Sequence, residues 1–110
     1  MKMLSALLVA CGLMTTSVAF AAVDADAAQA LLKKSDCFKC HAVDKKKDGP
    51  PYKEVAKKYK GKADAEEKLI KHITTGPMVE MDGKKEEHKK IKSTDAAELK
   101  NVVQWILSLQ

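Results

Sequence analysis

Cys37-Phe38-Lys39-Cys40-His41 places two thiols three residues apart with an imidazole directly behind them. About one turn of chain separates the two sulfurs, so both can add to the vinyl groups of a single haem. The histidine that follows then faces the iron as its proximal ligand, through a neutral ring nitrogen. The thioether bonds keep such a group in place while its iron changes charge. Other uses of a C-x-x-C fit less well. A thioredoxin-like redox pair needs a strand before the motif and a helix starting on it, and no strand pattern precedes Cys37. Zinc would need a remote fourth ligand, and ligands adjacent in sequence crowd a tetrahedral ion. A local disulfide would not staple a fold.

Upstream, Met1-Lys2-Met3 and the apolar run to about Leu13 have the charged start and apolar middle of a secretory signal, and Ala19-Phe20-Ala21-Ala22 offers an A-x-A cleavage pattern. The expected division is therefore a cleavable signal over 1–21 and one domain over 22–110, exported to the periplasm. Haem attachment of this kind follows export, so the two readings support each other. Cys11 lies in a lipobox-like Leu8-Val9-Ala10-Cys11, but the apolar pattern runs on through Gly12-Leu13-Met14, which places it inside the discarded signal core. No later run approaches the roughly 20 apolar residues of a membrane span.

A mature chain of 89 residues has too much surface for its core, and domains of this size recruit disulfides, metals or cofactors. Every cation is lysine. Losing Lys2 and no acid takes the net charge from +5 to +4. The lysine clusters alternate with acids and lack the arginine and aromatic content of a nucleic-acid reader, so they read as solvated faces, some of them available to an acidic protein partner.

Downstream, periodicity gives an all-α chain. A first helix is expected over Asp26 to Lys34, with Ala28, Leu31 and Leu32 on one face and Asp24 or Asp26 capping it. The cysteines follow in a loop that ends at Gly49-Pro50-Pro51. A short helix is expected over Tyr52 to Lys60, stopped by Gly61, and a third over Ala63 to Thr74, stopped by Gly76-Pro77. A polar loop to about Ser93 leads to the last helix, where Leu99, Val102, Val103, Ile106 and Leu109 share a face and Asp95 with Glu98 can form a capping box. That face needs a partner, and Leu31 and Leu32 offer one, so the first and last helices should cross and pack. His72, beside Lys71, reads as solvated.

With the haem string after a first helix, Gly49-Pro50-Pro51-Tyr52 behind it and an aromatic-bearing terminal helix, the mature domain resembles the small bacterial class I cytochromes c over its whole length. The resemblance implies about four helices around one covalent haem c, with the terminal helices in contact. It implies a one-electron carrier rather than an enzyme; a monomer is expected, and the lysines point to redox partner proteins with acidic surfaces. It also implies that the Pro50 carbonyl accepts a hydrogen bond from His41, fixing the proximal imidazole.

One family feature is missing. The usual distal ligand is a methionine in a Met-Pro context, sixteen or seventeen residues before the aromatic of the last helix, and counting back seventeen from Trp105 reaches His88. Met81 and Met78 lie 24 and 27 residues back, in a loop that can adjust its length at little entropic cost. His88 is the preferred distal ligand, with both methionines open. The expected site is thus Cys37, Cys40, His41, Pro50 and His88, with His41 and His88 on the iron. The expected haem neighbours are Leu31, Tyr52, Tyr59, Leu69, Ile70 and Val103, and Lys39 is the expected contact at the exposed haem edge. The rival reading is a haem protein whose sixth ligand detaches to admit a gas or peroxide.

Overall fold

The computed structural model describes residues 22–109; the proposed signal, its cleavage site and Cys11 lie outside them. Four helices carry the described chain: α1 (Ala25–Lys34), α2 (Tyr52–Tyr59), α3 (Ala65–Thr75) and α4 (Ala96–Ser108), with a 3-10 turn at Cys37–Lys39.

The Asp24 side chain caps α1 by accepting from the Ala27 N–H at 3.0 Å, and Ala28 and Leu32 are its buried residues. α4 buries Leu99, Val102, Val103, Trp105 and Ile106 and packs against α1, α2 and α3. The first and last helices therefore pack against each other, as expected. They are also latched: the Asp24 N–H donates to Asn101 Oδ1, and Asn101 Nδ2 donates to the Asp24 carbonyl, both at 2.9 Å. The α4 cap differs from a simple box. Asp95 Oδ1 accepts from the N–H groups of Ala97 and Glu98, but the Glu98 carboxylate takes the Ser93 hydroxyl, whose oxygen accepts from the Asp95 N–H. Ser93 relays the reciprocal half of the motif.

Where a polar loop is expected after α3, the chain instead forms two short strands. Met78–Met81 (β1) and Lys84–Glu87 (β2) form an antiparallel hairpin, with Met78 opposite Glu87 and Met81 opposite Lys84. Asp82 and Gly83 both have positive φ, 49° and 76°, as a two-residue turn that follows strand twist requires. Every residue of β2 is exposed, while Val79 and Met81 of β1 are half-buried.

After the hairpin the chain is tied back onto the helices. The His88 N–H donates to the Pro77 carbonyl at 2.9 Å, the Ile91 N–H to the Ile73 carbonyl at 2.8 Å, and the Lys92 N–H to Ser35 Oγ at 2.9 Å. Ile91 enters the core beside Leu32, Tyr52 and Trp105. Gly76, with φ 61°, permits this return: a Cβ there would lie 2.8 Å from the His88 carbonyl oxygen.

Candidate functional site

The end of α1 shapes the cysteine loop. The Ser35 N–H donates to the Leu31 carbonyl and the Asp36 N–H to Lys33, after which Asp36 turns the chain with φ 61°. The N–H groups of Cys40 and His41 both donate to the Cys37 carbonyl, closing one turn. This turn is why a three-residue spacing matters: it presents two thiols to one side. Both cysteines are free and half-buried. Burial pushes the Cys37 thiol up, with the Asp36 carboxylate adding to the effect.

His41 is gripped on three sides. Its Nδ1 lies 2.8 Å from the Pro50 carbonyl, so that nitrogen donates and Nε2 keeps the free lone pair. Its ring stacks on Tyr52 at 4.9 Å and 17°, and Tyr52 in turn meets Trp105 edge-on at 6.1 Å. On its third side stands Gly49, where a Cβ would lie 2.6 Å from His41 Cε1. Burial raises the Tyr52 phenol far above the ordinary tyrosine range, so it stays neutral.

Both cysteines and His41 open into a cavity of about 570 Å³, whose walls include Leu32, Val55, Leu69, Ile73, Val103 and Ile106. Tyr52, Tyr59, Leu69 and Val103 line it as expected. Leu31 and Ile70 do not: Leu32, the next residue of α1, and Ile73, three residues further along α3, line it instead. The far wall is built by the hairpin and the segment after it, with Val79, Met81 and His88. Met78 is 63% exposed and does not line the cavity.

All three histidines of the chain line this cavity, which corrects the reading of His72 as a solvated residue. The His41 and His88 rings face each other at 6.1 Å between centroids, with 50° between their planes. His72 meets His88 edge-on at 4.4 Å and 62°. Helical register held the signal: His72 stands three residues after Leu69 and four before Gly76, on the inward stripe of α3. Burial lowers the pKa of His72, and the charges of His41 and Lys58 lower it further. His88 is lowered by burial first and by His72 second. Both are thereby held neutral, the form in which an imidazole can bind a metal. His88 Nδ1 is buried without a hydrogen-bond partner.

Asp36 sits at the cavity rim, 3.4 Å from Lys39 Nζ and 3.8 Å from Lys89 Nζ, and the Lys39 contact holds its carboxyl below the usual range. Lys39 itself is exposed, as an edge contact requires. Among the described residues, no helix is long and apolar enough to cross a membrane.

The donor set suits a flat, apolar, iron-bearing group: two thiols at one rim, apolar walls, and the imidazoles of His41 and His88 on different walls, 6.1 Å apart between centroids. The comparisons with known proteins agree. The family model described as Cytochrome c matches residues 25–110. Cytochrome c-551 of Allochromatium vinosum is 35% identical over 82 residues, covering 72% of this chain and 82% of that protein. Cytochrome c-551 of Pseudomonas aeruginosa is 46% identical over 48 residues, a match that spans 44% of this chain and only 46% of that protein. Among solved structures, the class 1 cytochrome MtoD of Sideroxydans lithotrophicus ES-1 superposes with a TM-score of 0.77 at 58% identity, covering 80% of this chain and 98% of that one.

Proposed function

Because the chain belongs to the class I cytochromes c, we propose that it is a periplasmic one-electron carrier, exported by a signal over 1–21 that is removed to leave a domain over 22–110. One haem c is bonded through Cys37 and Cys40, with His41 as proximal and His88 as distal ligand. When bound, haem supplies an iron that gains and loses one electron without a proton or a substrate. The protein's part is to hold both axial positions, keep water from the iron and leave one edge near the surface.

The single observation that carries the ligand assignment is the facing pair of imidazoles. Metal–nitrogen distances of about 2.0–2.1 Å, with each ring centre about 1.1 Å further out, put two imidazoles sharing one ion roughly 6.3 Å apart. The His41 and His88 centroids stand at 6.1 Å. The Pro50 carbonyl supports this reading on the proximal side, since it holds the proton on Nδ1 and leaves Nε2 for the iron. A second imidazole in place of a thioether favours ferric over ferrous iron, so the carrier works at a lower potential than a His/Met relative. Lys39, beside the cysteines and open to solvent, is the first contact for an acidic redox partner.

Replacing His88 with alanine tests the assignment. The ferric protein is expected to lose its low-spin electron paramagnetic resonance signal, and the ferrous protein to bind carbon monoxide quickly where the parent resists it. An unchanged low-spin signal removes His88 from the iron. Met81, which lines the same cavity, then becomes the ligand to test. Rapid carbon monoxide binding by the unaltered protein would favour a gas-binding role over electron carriage.

A further inference from the structure

The two imidazoles that face each other across the cavity are held differently. The ring plane of His41 is fixed by the Pro50 carbonyl at 2.8 Å and by the Tyr52 ring stacked at 17°. For His88 the backbone is pinned through its N–H to the Pro77 carbonyl, but the buried Nδ1 has no acceptor. A metal-bound imidazole attached through one nitrogen can turn about that bond, and the usual restraint is a hydrogen bond from the other nitrogen. His88 lacks it. What touches the ring instead is His72, edge-on at 4.4 Å and 62°.

We propose that His72 is the positioning residue of the distal imidazole: its ring, fixed on α3, sets the plane in which the His88 ring stands. This rests on the assignment of His88 as distal ligand and goes beyond it, because His72 acts through His88. Two features make His72 suited to the role. It sits in the last turn of an eleven-residue helix, three residues after the buried Leu69, and so belongs to an element other than the hairpin. An aromatic edge against an aromatic face also has a preferred geometry, which an aliphatic neighbour of equal bulk lacks.

The spread of ferric low-spin g values depends on the angle between the two axial imidazole planes, so the haem-loaded protein reports the proposal directly. His72→Leu keeps the bulk and removes the planar edge; it should keep a low-spin ferric signal but shift its low-field g value and broaden the line. His72→Phe restores an aromatic edge and should return both toward the parent. An unshifted, equally sharp signal in His72→Leu overturns the proposal, as does a shift that His72→Phe fails to restore. If His72→Leu does not accumulate as a haem-loaded protein, His72→Gln takes its place, with the same shift expected and the same null result fatal. Failure of the ligand assignment looks different: His88→Ala then keeps the parent signal, whatever the substitutions at His72 do.

Discussion

A side chain at position 49 would have to enter space that the proximal imidazole fills, since a Cβ there lies 2.6 Å from His41 Cε1 and 2.9 Å from Nδ1. Neither neighbour can yield cheaply. His41 is backed by the stacked Tyr52 ring, and the Gly49 N–H is bonded to the Cys40 carbonyl at 2.7 Å. Gly49→Ala should therefore push the ring off the Pro50 carbonyl and cost about 1–3 kcal/mol of stability, as overpacking of a filled site does. Denaturant unfolding of the haem-loaded protein measures the loss; a midpoint equal to the parent's would show that the ring yields freely. Tyr52, on the other face of the same ring, makes a pH-dependent contribution. Its phenol titrates near 10 in the unfolded chain and well above that when folded, raised by burial. The unfolded chain sheds this proton first. Stability is thus full below about pH 10 and declines above it by up to roughly 1.4 kcal/mol per pH unit for this one group. The exposed lysines titrate in the same range, so the comparison is with Tyr52→Phe, whose stability should fall less steeply between about pH 10 and 12. Parallel curves would show that the phenol is not desolvated.

At the scale of elements, Ser35 joins parts of the chain that sequence separates. It is 2% exposed, it follows α1, its carbonyl lies 3.9 Å from Cys37 Sγ, and its hydroxyl accepts the Lys92 N–H from the segment that carries His88. Ser35→Ala leaves that N–H without its partner, with an expected cost of about 1–2 kcal/mol by chemical denaturation. A change within about 0.3 kcal/mol would mean that water takes the hydroxyl's place. Nothing in the sequence marks Ser35, because its value lies in a contact 57 residues away. Other features were legible. The helix order, the packing of α1 on α4 and the cap at Asp95 follow from periodicity and cap chemistry, both local. The hairpin was missed because β2 is Lys84-Lys85-Glu86-Glu87, with no apolar face for period-two alternation to reveal. Its one readable signal was the turn pair Asp82-Gly83. His72 was misplaced by its neighbour Lys71, when its register with Leu69 and Ile73 gave the better guide.

The whole molecule is built around a hollow. Leu32, Tyr52, Val103 and Ile106 belong to the buried set and also face the 570 Å³ cavity. α4 contacts α1, α2 and α3 beside it, and the wall that carries His88 is held by a few backbone hydrogen bonds and by Ile91. A chain that cannot attach its prosthetic group must leave this space as void or admit water against apolar side chains. Either way the apolar walls lose burial that a small domain depends on, and the net stability of a typical domain is only about 5–15 kcal/mol. Collapse can recover part of that burial, but only by moving α3 and the hairpin from the positions that the Ile91 and His88 N–H groups fix. Substituting both Cys37 and Cys40 with alanine and purifying the chain free of haem should therefore give a protein with little fixed tertiary structure: narrow amide dispersion in the NMR spectrum and no cooperative unfolding transition. Such a chain should gain dispersed signals only when haem is added and caught by the two facing imidazoles. A haem-free double variant with a dispersed spectrum and a sharp transition would mean that the helices hold each other unaided, and that the cavity is a pocket cut into a finished core rather than the place where the core is completed.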